Sequence, residues 1–313
     1  MIDVSCIGIL VADVIAKPVD AMPAPGMLER INAIEMYSGG CAMNAGIDMS
    51  KIGLDIAVLG KIGNDSFGEF LKEALIKNNV NIEGLAVDMN LQTSSSVVLS
   101  ASSGERSFLH CVGANATYDY DDVNFDVIEK SNIVFIAGTM LMDAFDGEVA
   151  AKVLKKSKEM GKLTVLDTAW DAKGRWMDVL RPCMPYIDVF LPSIDEAIQL
   201  AGGKTDLKEI ADYFFDCGVG QVAIKNGKHG CYLRESASAE GVTIPSYTVK
   251  AVDTTGAGDS FCAGFITGLS KGFSFTECGR FANAVGAHCV SAMGASTGIK
   301  PMADILKFME ENK

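Results

Sequence analysis

The feature that most constrains this chain is a rhythm. Short, near-continuous apolar runs rich in β-branched residues recur at 4–10, 56–59, 133–137, 163–166, 189–191 and 222–224. Amphipathic stretches of helical period lie between many of them, at 67–78, 146–160 and 206–217. A strand with no polar alternation has no wet face, so these runs predict strands buried on both sides. Strands of that kind alternating with helices predict a mostly parallel sheet covered on both faces, an α/β fold. The last third changes character. Residues 256–272, 274–293 and 301–311 all read as helix, so the chain closes in a helical layer.

Two segments break the rhythm, 17–38 and 93–112. The second, TSSSVVLSASSGERSFLHCV, alternates and turns at Ser-Gly-Glu, so it predicts a β-hairpin. Strands outside the main sheet would make a lid or a dimer flap. The chain has 313 residues, enough for one large α/β domain or two smaller ones. No repeat, low-complexity tract or composition break marks a second unit.

Bulk chemistry excludes several functions. The net charge is −13, and such a surface repels a phosphate backbone, so nucleic acid is not an expected partner. A local positive site for a small anion is still allowed. The nine cysteines are scattered, none in C-x-x-C, and predict buried thiols in a reducing cytosol. The three histidines lack metal-ligand spacing. The N-terminus has no basic leader, and no apolar run approaches the roughly 20 residues that a membrane span needs. A cytoplasmic protein is expected.

Five motifs carry chemistry. In DTTGAGDSF, 253–261, a stripped turn of Gly256, Ala257 and Gly258 precedes Asp259 at the mouth of an apolar helix. Free amides and the helix dipole favour an anion there, and a carboxylate beside it can accept an alcohol proton. An N-capping acid is the plainer alternative. SGGCAMN, 38–44, places Gly39, Gly40 and Asn44 at the start of another helix, which suits a polyol ligand or a simple turn. Asp13 reads as the end of the first strand, where α/β ligands bind, or as a loop acid. PSIDE, 192–196, puts Glu196 just past a strand, to hold a metal through water or to serve as first-turn helix chemistry. KNGKHG, 225–230, reads as a tight turn at Gly227 and Gly230. Rival nucleotide loops are missing: there is no G-x-x-x-x-G-K-[ST], and the one G-x-G-x-x-A, at 218–223, precedes a strand instead of following one.

Together these residues resemble the ribokinase-like carbohydrate kinases, the PfkB family, nearly end to end. The D-T-x-G-A-G-D signature is complete. The N-terminal signature is present as Gly39, Gly40, Asn44, Gly53 and Gly63, with Gly46 where Ser, Thr or Ala is more usual. The resemblance implies one three-layer α/β/α domain over 1–313 with a small β lid from about 14–38 and 93–113. It implies transfer of the ATP γ-phosphate to a hydroxyl of a sugar-like molecule, with Mg2+. By position, Asp259 would be the catalytic base, and Gly256, Ala257 and Gly258 the anion hole. Asp13, Gly39, Gly40 and Asn44 would touch the sugar. Lys225, Gly227, Gly230, Asn283 and Gly294 would meet the nucleotide. Glu196 would organise Mg2+ through water, although Ser193 stands where the family often has Asn. Asp253 and Thr255 match a loop that binds a monovalent cation in many members, so potassium is permitted. A homodimer through the lid is also permitted.

The acceptor is less constrained. Arg106 or Arg175 could meet an acidic sugar, or could be surface charge. Phe108 or Trp170 could stack on a nucleoside base, so a nucleoside kinase on this fold is the alternative. A non-catalytic sensor is disfavoured, because a sensor has no need of the base.

Overall fold

A computed structural model describes residues 1–312. The first strand, β1 (Ile2–Gly8), leads at once into β2 (Val11–Lys17) and β3 (Ala33–Gly39), and then helix α1 (Cys41–Ile52). Next come β4 (Ile56–Gly63), α2 (Ser66–Lys77), β5 (Asn81–Asp88), and the hairpin β6 (Ser95–Ser100) and β7 (Arg106–Cys111). The middle of the chain holds α3 (Phe125–Glu129), β8 (Ser131–Thr139), α4 (Glu148–Glu159), β9 (Leu163–Thr168), α5 (Met177–Leu180) and β10 (Val189–Phe190). Then follow α6 (Ile194–Leu200), α7 (Leu207–Asp216), β11 (Gln221–Lys225), β12 (Cys231–Arg234) and β13 (Val242–Ile244). Helices α8 (Ala257–Ser270), α9 (Phe275–Val290) and α10 (Met302–Glu311) complete it.

Nine strands form one sheet in the order β13-β12-β11-β10-β9-β8-β1-β4-β5. From β11 to β5 every pairing is parallel, and only β12 and β13 add antiparallel. All six apolar runs of the sequence fall on its parallel strands. The reason is visible along β8. Ile133, Phe135 and Ala137 pack into one core with α1, α2, α8 and α9. Val134 and Ile136 pack into the other, with α4, α6 and α7. Both faces are dry there, so every position from 133 to 137 is apolar. β5 escapes the pattern because it is an edge strand, mostly half-exposed.

The order places a switch point beside β1: later strands add first on its β4 side and then on its β8 side. Connections diverge there, opening a crevice at the C-terminal strand ends. The helices α1 and α8 both begin at that end.

The second sheet has the order β3-β2-β6-β7. The expected hairpin is β6–β7. Segment 17–38 divides into an exposed connection and β3. One expectation needs correction. Asp13 does not end the first strand. β1 stops at Gly8, and Asp13 is the third residue of β2, paired with Tyr37 and Ser96 inside the small sheet. The continuous apolar run hid a change of sheet at residues 9–10. All nine cysteines are free thiols, and six are buried, but Cys111 is exposed on β7 and Cys41 and Cys217 are half-buried. Among the described residues no helix is long and apolar enough to cross a membrane.

Candidate active site

The site begins where α1 and α8 meet. Gly40 caps α1 at φ 97°, a left-handed conformation that side chains rarely adopt. A Cβ on Gly40 would strike the Ile9 carbonyl, and one on Gly39 would land on the Asp13 carboxylate. The paired glycines therefore let the chain pass between β2 and the turn after β1. Asn44, buried in the first turn of α1, donates from Nδ2 to Asp259 Oδ2 at 2.8 Å.

Two glycines flank the first residue of α8, Ala257, and they differ. Gly256 has φ 78°, and a Cβ there would sit 2.6 Å from the Ala295 Cβ. Gly258 is not crowded: its Cβ would meet nothing nearer than Lys225 Nζ, at 3.7 Å. No side chain caps the helix. The Ala257 amide donates to the Thr254 carbonyl and that of Ser260 to Gly256, so among the described residues the Gly258 and Asp259 amides have no backbone acceptor. Two free N–H groups at a helix N-terminus form a site for an anion. Asp259 lies in the same turn. Burial pushes its carboxyl above the usual range, opposed by the Asn44 hydrogen bond and the nearby Lys225 charge.

A cavity of about 610 Å³ opens beside this turn. Ala257, Gly258, Lys225, Gly227, Gly230 and Asn283 all line it. Their geometry separates their work. Gly230, at φ 90°, would drive a Cβ into the Ile244 carbonyl, so it closes the β11–β12 turn, whereas Gly227 faces open space. Asn283 Nδ2 donates to the carbonyls of Ile244 (3.2 Å) and Pro245 (3.1 Å), holding the cavity wall. Lys225 Nζ lies 2.5 Å from Asp167 Oδ1 and is buried. Burial works against its charge, but the Asp167 carboxylate outweighs it and raises the Lys225 pKa. Gly294 is elsewhere; its amide donates to Asp253 Oδ2 at 3.0 Å.

Glu196 does what its first-turn position suggests. Its Oε2 accepts from the Ser193 amide at 3.0 Å, completing a capping box, and from Thr168 Oγ1 at 2.9 Å. Among the described residues none donates a hydrogen bond to Oε1. Among the described residues no group of three or more His, Cys, Asp or Glu side chains could hold a metal.

Asp253 is encircled. Its Oδ1 accepts from the Thr255 amide and hydroxyl, and Arg106 Nη2 stands 3.6 Å from Oδ2. Burial alone would raise its pKa, but these donors and the Gly294 amide lower it. Arg106 also donates to Thr255 Oγ1 at 3.1 Å, so β7 of the small sheet reaches the loop in front of Gly256. On the small sheet, Tyr37, Asp13, Ser96 and His110 form one cross-strand row. Burial raises the Asp13 pKa, while Ser96 and His110 oppose it.

Both arginines that could have met an acidic sugar are already paired. Arg106 faces Asp253, and Arg175 meets Asp171 at 3.0 Å and Asp143 at 3.3 Å. Asn115 is buried and donates to the Leu10 carbonyl. The sequence reading missed Asp167, Asp48 and Ser96. Asp167 was detectable by the rule applied to Asp13, since it follows the apolar run 163–166 at a strand end. Asp48 and Ser96 carried no signal, because each is one polar residue in an ordinary helical or alternating pattern.

The chain belongs to the pfkB family of carbohydrate kinases, whose family model matches residues 1–302. It is a sugar kinase by family. A Pyrococcus horikoshii protein named as a sugar kinase is 30% identical over 293 residues, 91% of this chain and 90% of that protein. Fructokinase-2 of Oryza sativa is 28% identical over 281 residues, covering 85% and 82%. The structure of Arabidopsis thaliana ribokinase complexed with ribose and ATP superposes with a TM-score of 0.85 at 24% identity, over 99% of each chain. That likeness fixes the ribokinase-like fold, with its large sheet and separate small one.

Proposed function

We propose that this kinase transfers the γ-phosphoryl group of ATP to a hydroxyl of a neutral, sugar-like polyol, with Asp259 as the base. One observation carries the reading: Asp259 sits in the turn that offers two unpaired amides, with its carboxylate aimed by Asn44. Phosphoryl transfer asks for little covalent chemistry and much positioning and charge stabilisation. The Gly258 and Asp259 amides would receive the moving phosphoryl group. The Asp259 carboxylate would take the acceptor proton, and its raised pKa makes it a better base. Lys225 and Gly227 would border the nucleotide in the cavity. Asp13, held beside Gly39, would accept hydrogen bonds from acceptor hydroxyls.

Magnesium suits Glu196, whose Oε1 is free for a metal-bound water; when bound, the ion would neutralise charge between the phosphates. Potassium fits less well. Asp253 is already met by Thr255, Gly294 and Arg106, so a monovalent ion there would compete with a built-in cation. Neutrality of the acceptor follows from the pairing of Arg106 and Arg175 and from the Asp13 carboxylate, which would repel an acid.

The small sheet would act as a lid and as the contact between two copies. Its polar row is flanked by a row of opposite facing, Met36, Val14, Val97 and Leu109, of which Leu109 is 64% exposed. An apolar outer face on a four-stranded sheet suits a second copy of itself. Sedimentation of the purified chain would read a dimer; a monomer at every concentration would remove this part.

The deciding experiment offers ATP and magnesium with neutral sugars, sugar acids and nucleosides. Neutral sugars should release ADP fastest. Phosphorylation of nucleosides alone would favour the other reading, and of sugar acids alone would overturn neutrality.

A further inference from the structure

Helix α1 carries a second polar residue that the reaction as described does not use. Asp48 is fully buried in a helix buried almost all round, whose other buried residues are Ala42, Met43, Asn44, Ala45, Gly46, Ile47, Met49 and Ile52. An isolated carboxyl among methyl groups is costly unless a specific partner requires it. Asp48 has no ion-pair partner among the described residues. Lys51, the nearest cation along the helix, donates instead to the Ser296 carbonyl at 2.8 Å. Ser260 Oγ donates to Asp48 Oδ2 at 2.5 Å, and the Ser296 hydroxyl also favours the ionised carboxyl. Its Oδ1 is buried and unpaired.

The geometry of that bond is specific. Asn44 and Asp48 are four residues apart on α1, so they stand one above the other on one face. Their partners, Asp259 and Ser260, are consecutive in the first turn of α8. Both bonds are rungs between α1 and α8. The upper rung orients the Asp259 carboxylate. The lower rung grips the next residue and resists rotation of the turn about the α8 axis.

We infer that Asp48 is a positioning residue for phosphoryl transfer: through Ser260 it fixes the rotation of the first turn of α8, and with it the Asp259 carboxylate and the free amides. The inference rests on Asp259 being the base. It adds a residue that touches neither substrate and acts through another. Small misplacement of a reacting group is enough to slow an enzyme severely.

Four variants test it: Asp48→Ala, Asp48→Asn, Ser260→Ala, and Asp48→Ala with Ser260→Ala. The expected result for Asp48→Ala is a loss of kcat of about tenfold or more, with KM for ATP and acceptor within about twofold. Ser260→Ala should give the same loss, and the double variant no more than either, because all three remove one contact. Asp48→Asn keeps an acceptor oxygen for Ser260 and should recover most of the rate. Full kcat in Ser260→Ala, or a double variant whose loss is the product of the two singles, overturns the inference. If Asp48→Ala does not fold, Ser260→Ala and Asp48→Asn still decide. Asp259→Asn, assayed alongside, separates the failures. An active Asp259→Asn removes the base itself. An inactive one with a fully active Ser260→Ala removes only the role of Asp48.

Discussion

At the scale of single residues, charge and hydrogen bonding set the outcomes. Asp259→Asn removes the proposed base while keeping shape, so turnover should fall on the order of a thousandfold with the melting temperature little changed. Near-normal turnover would end the assignment. The pH profile gives a second reading. Asp259 must be ionised to act, so activity should decline as pH falls through its raised pKa. Asn44 stabilises the ionised form; Asn44→Ala should therefore move the acid limb to higher pH, measured as kcat/KM against pH. Asp48 makes a stability prediction of opposite sense. Burial raises its pKa to about 7 from an ordinary 3.8, so the folded state holds a proton that the unfolded state has lost. Stability is then full below the unfolded value and declines as pH rises towards the folded one. Asp48→Asn should gain stability relative to the parent at pH 8 and less at pH 5, read by denaturant melts. An equal difference at both pH values would show that the carboxyl does not titrate there.

At the scale of elements, the two glycines of the α8 turn should fail differently. Gly256→Ala meets both a left-handed φ and the Ala295 side chain, so it should cost about 1 kcal/mol or more of stability. Gly258→Val has ordinary backbone and open space, and should keep the melting temperature while losing turnover, because the side chain would fill the place of the phosphoryl group. A stable, active Gly258→Val would remove the anion hole. The same elements explain what could be read early. GAGD at a helix mouth was legible, since capping needs one residue and the chain spends a whole stripped turn. The parallel strands were legible because both of their faces are buried. β2 was not, because its apolar start continues that of β1 and only pairing with β3 and β6 shows the change of sheet.

At the scale of the whole molecule, Arg106 is the one described side chain of the small sheet that ion-pairs with the loop ahead of α8. Arg106→Ala should loosen closure, raising both acceptor KM and the rate of ATP hydrolysis without acceptor, since water reaches the phosphate more easily. Unchanged hydrolysis would mean that the small sheet does not exclude water.

Local pattern by itself determined the layered α/β class, the hairpin and the glycine turns. These depend on periodicity, backbone permissiveness and helix-end electrostatics, all of which act over a few residues. Only the tertiary structure decided the partnerships: Asn44 with Asp259, Asp48 with Ser260, Lys225 with Asp167, Arg106 with Asp253. The partners in these pairs are 58 to 215 residues apart in sequence. No local rule reaches that far, because a buried polar group finds its partner only after the sheet order has brought distant strand ends and helix mouths to one crevice.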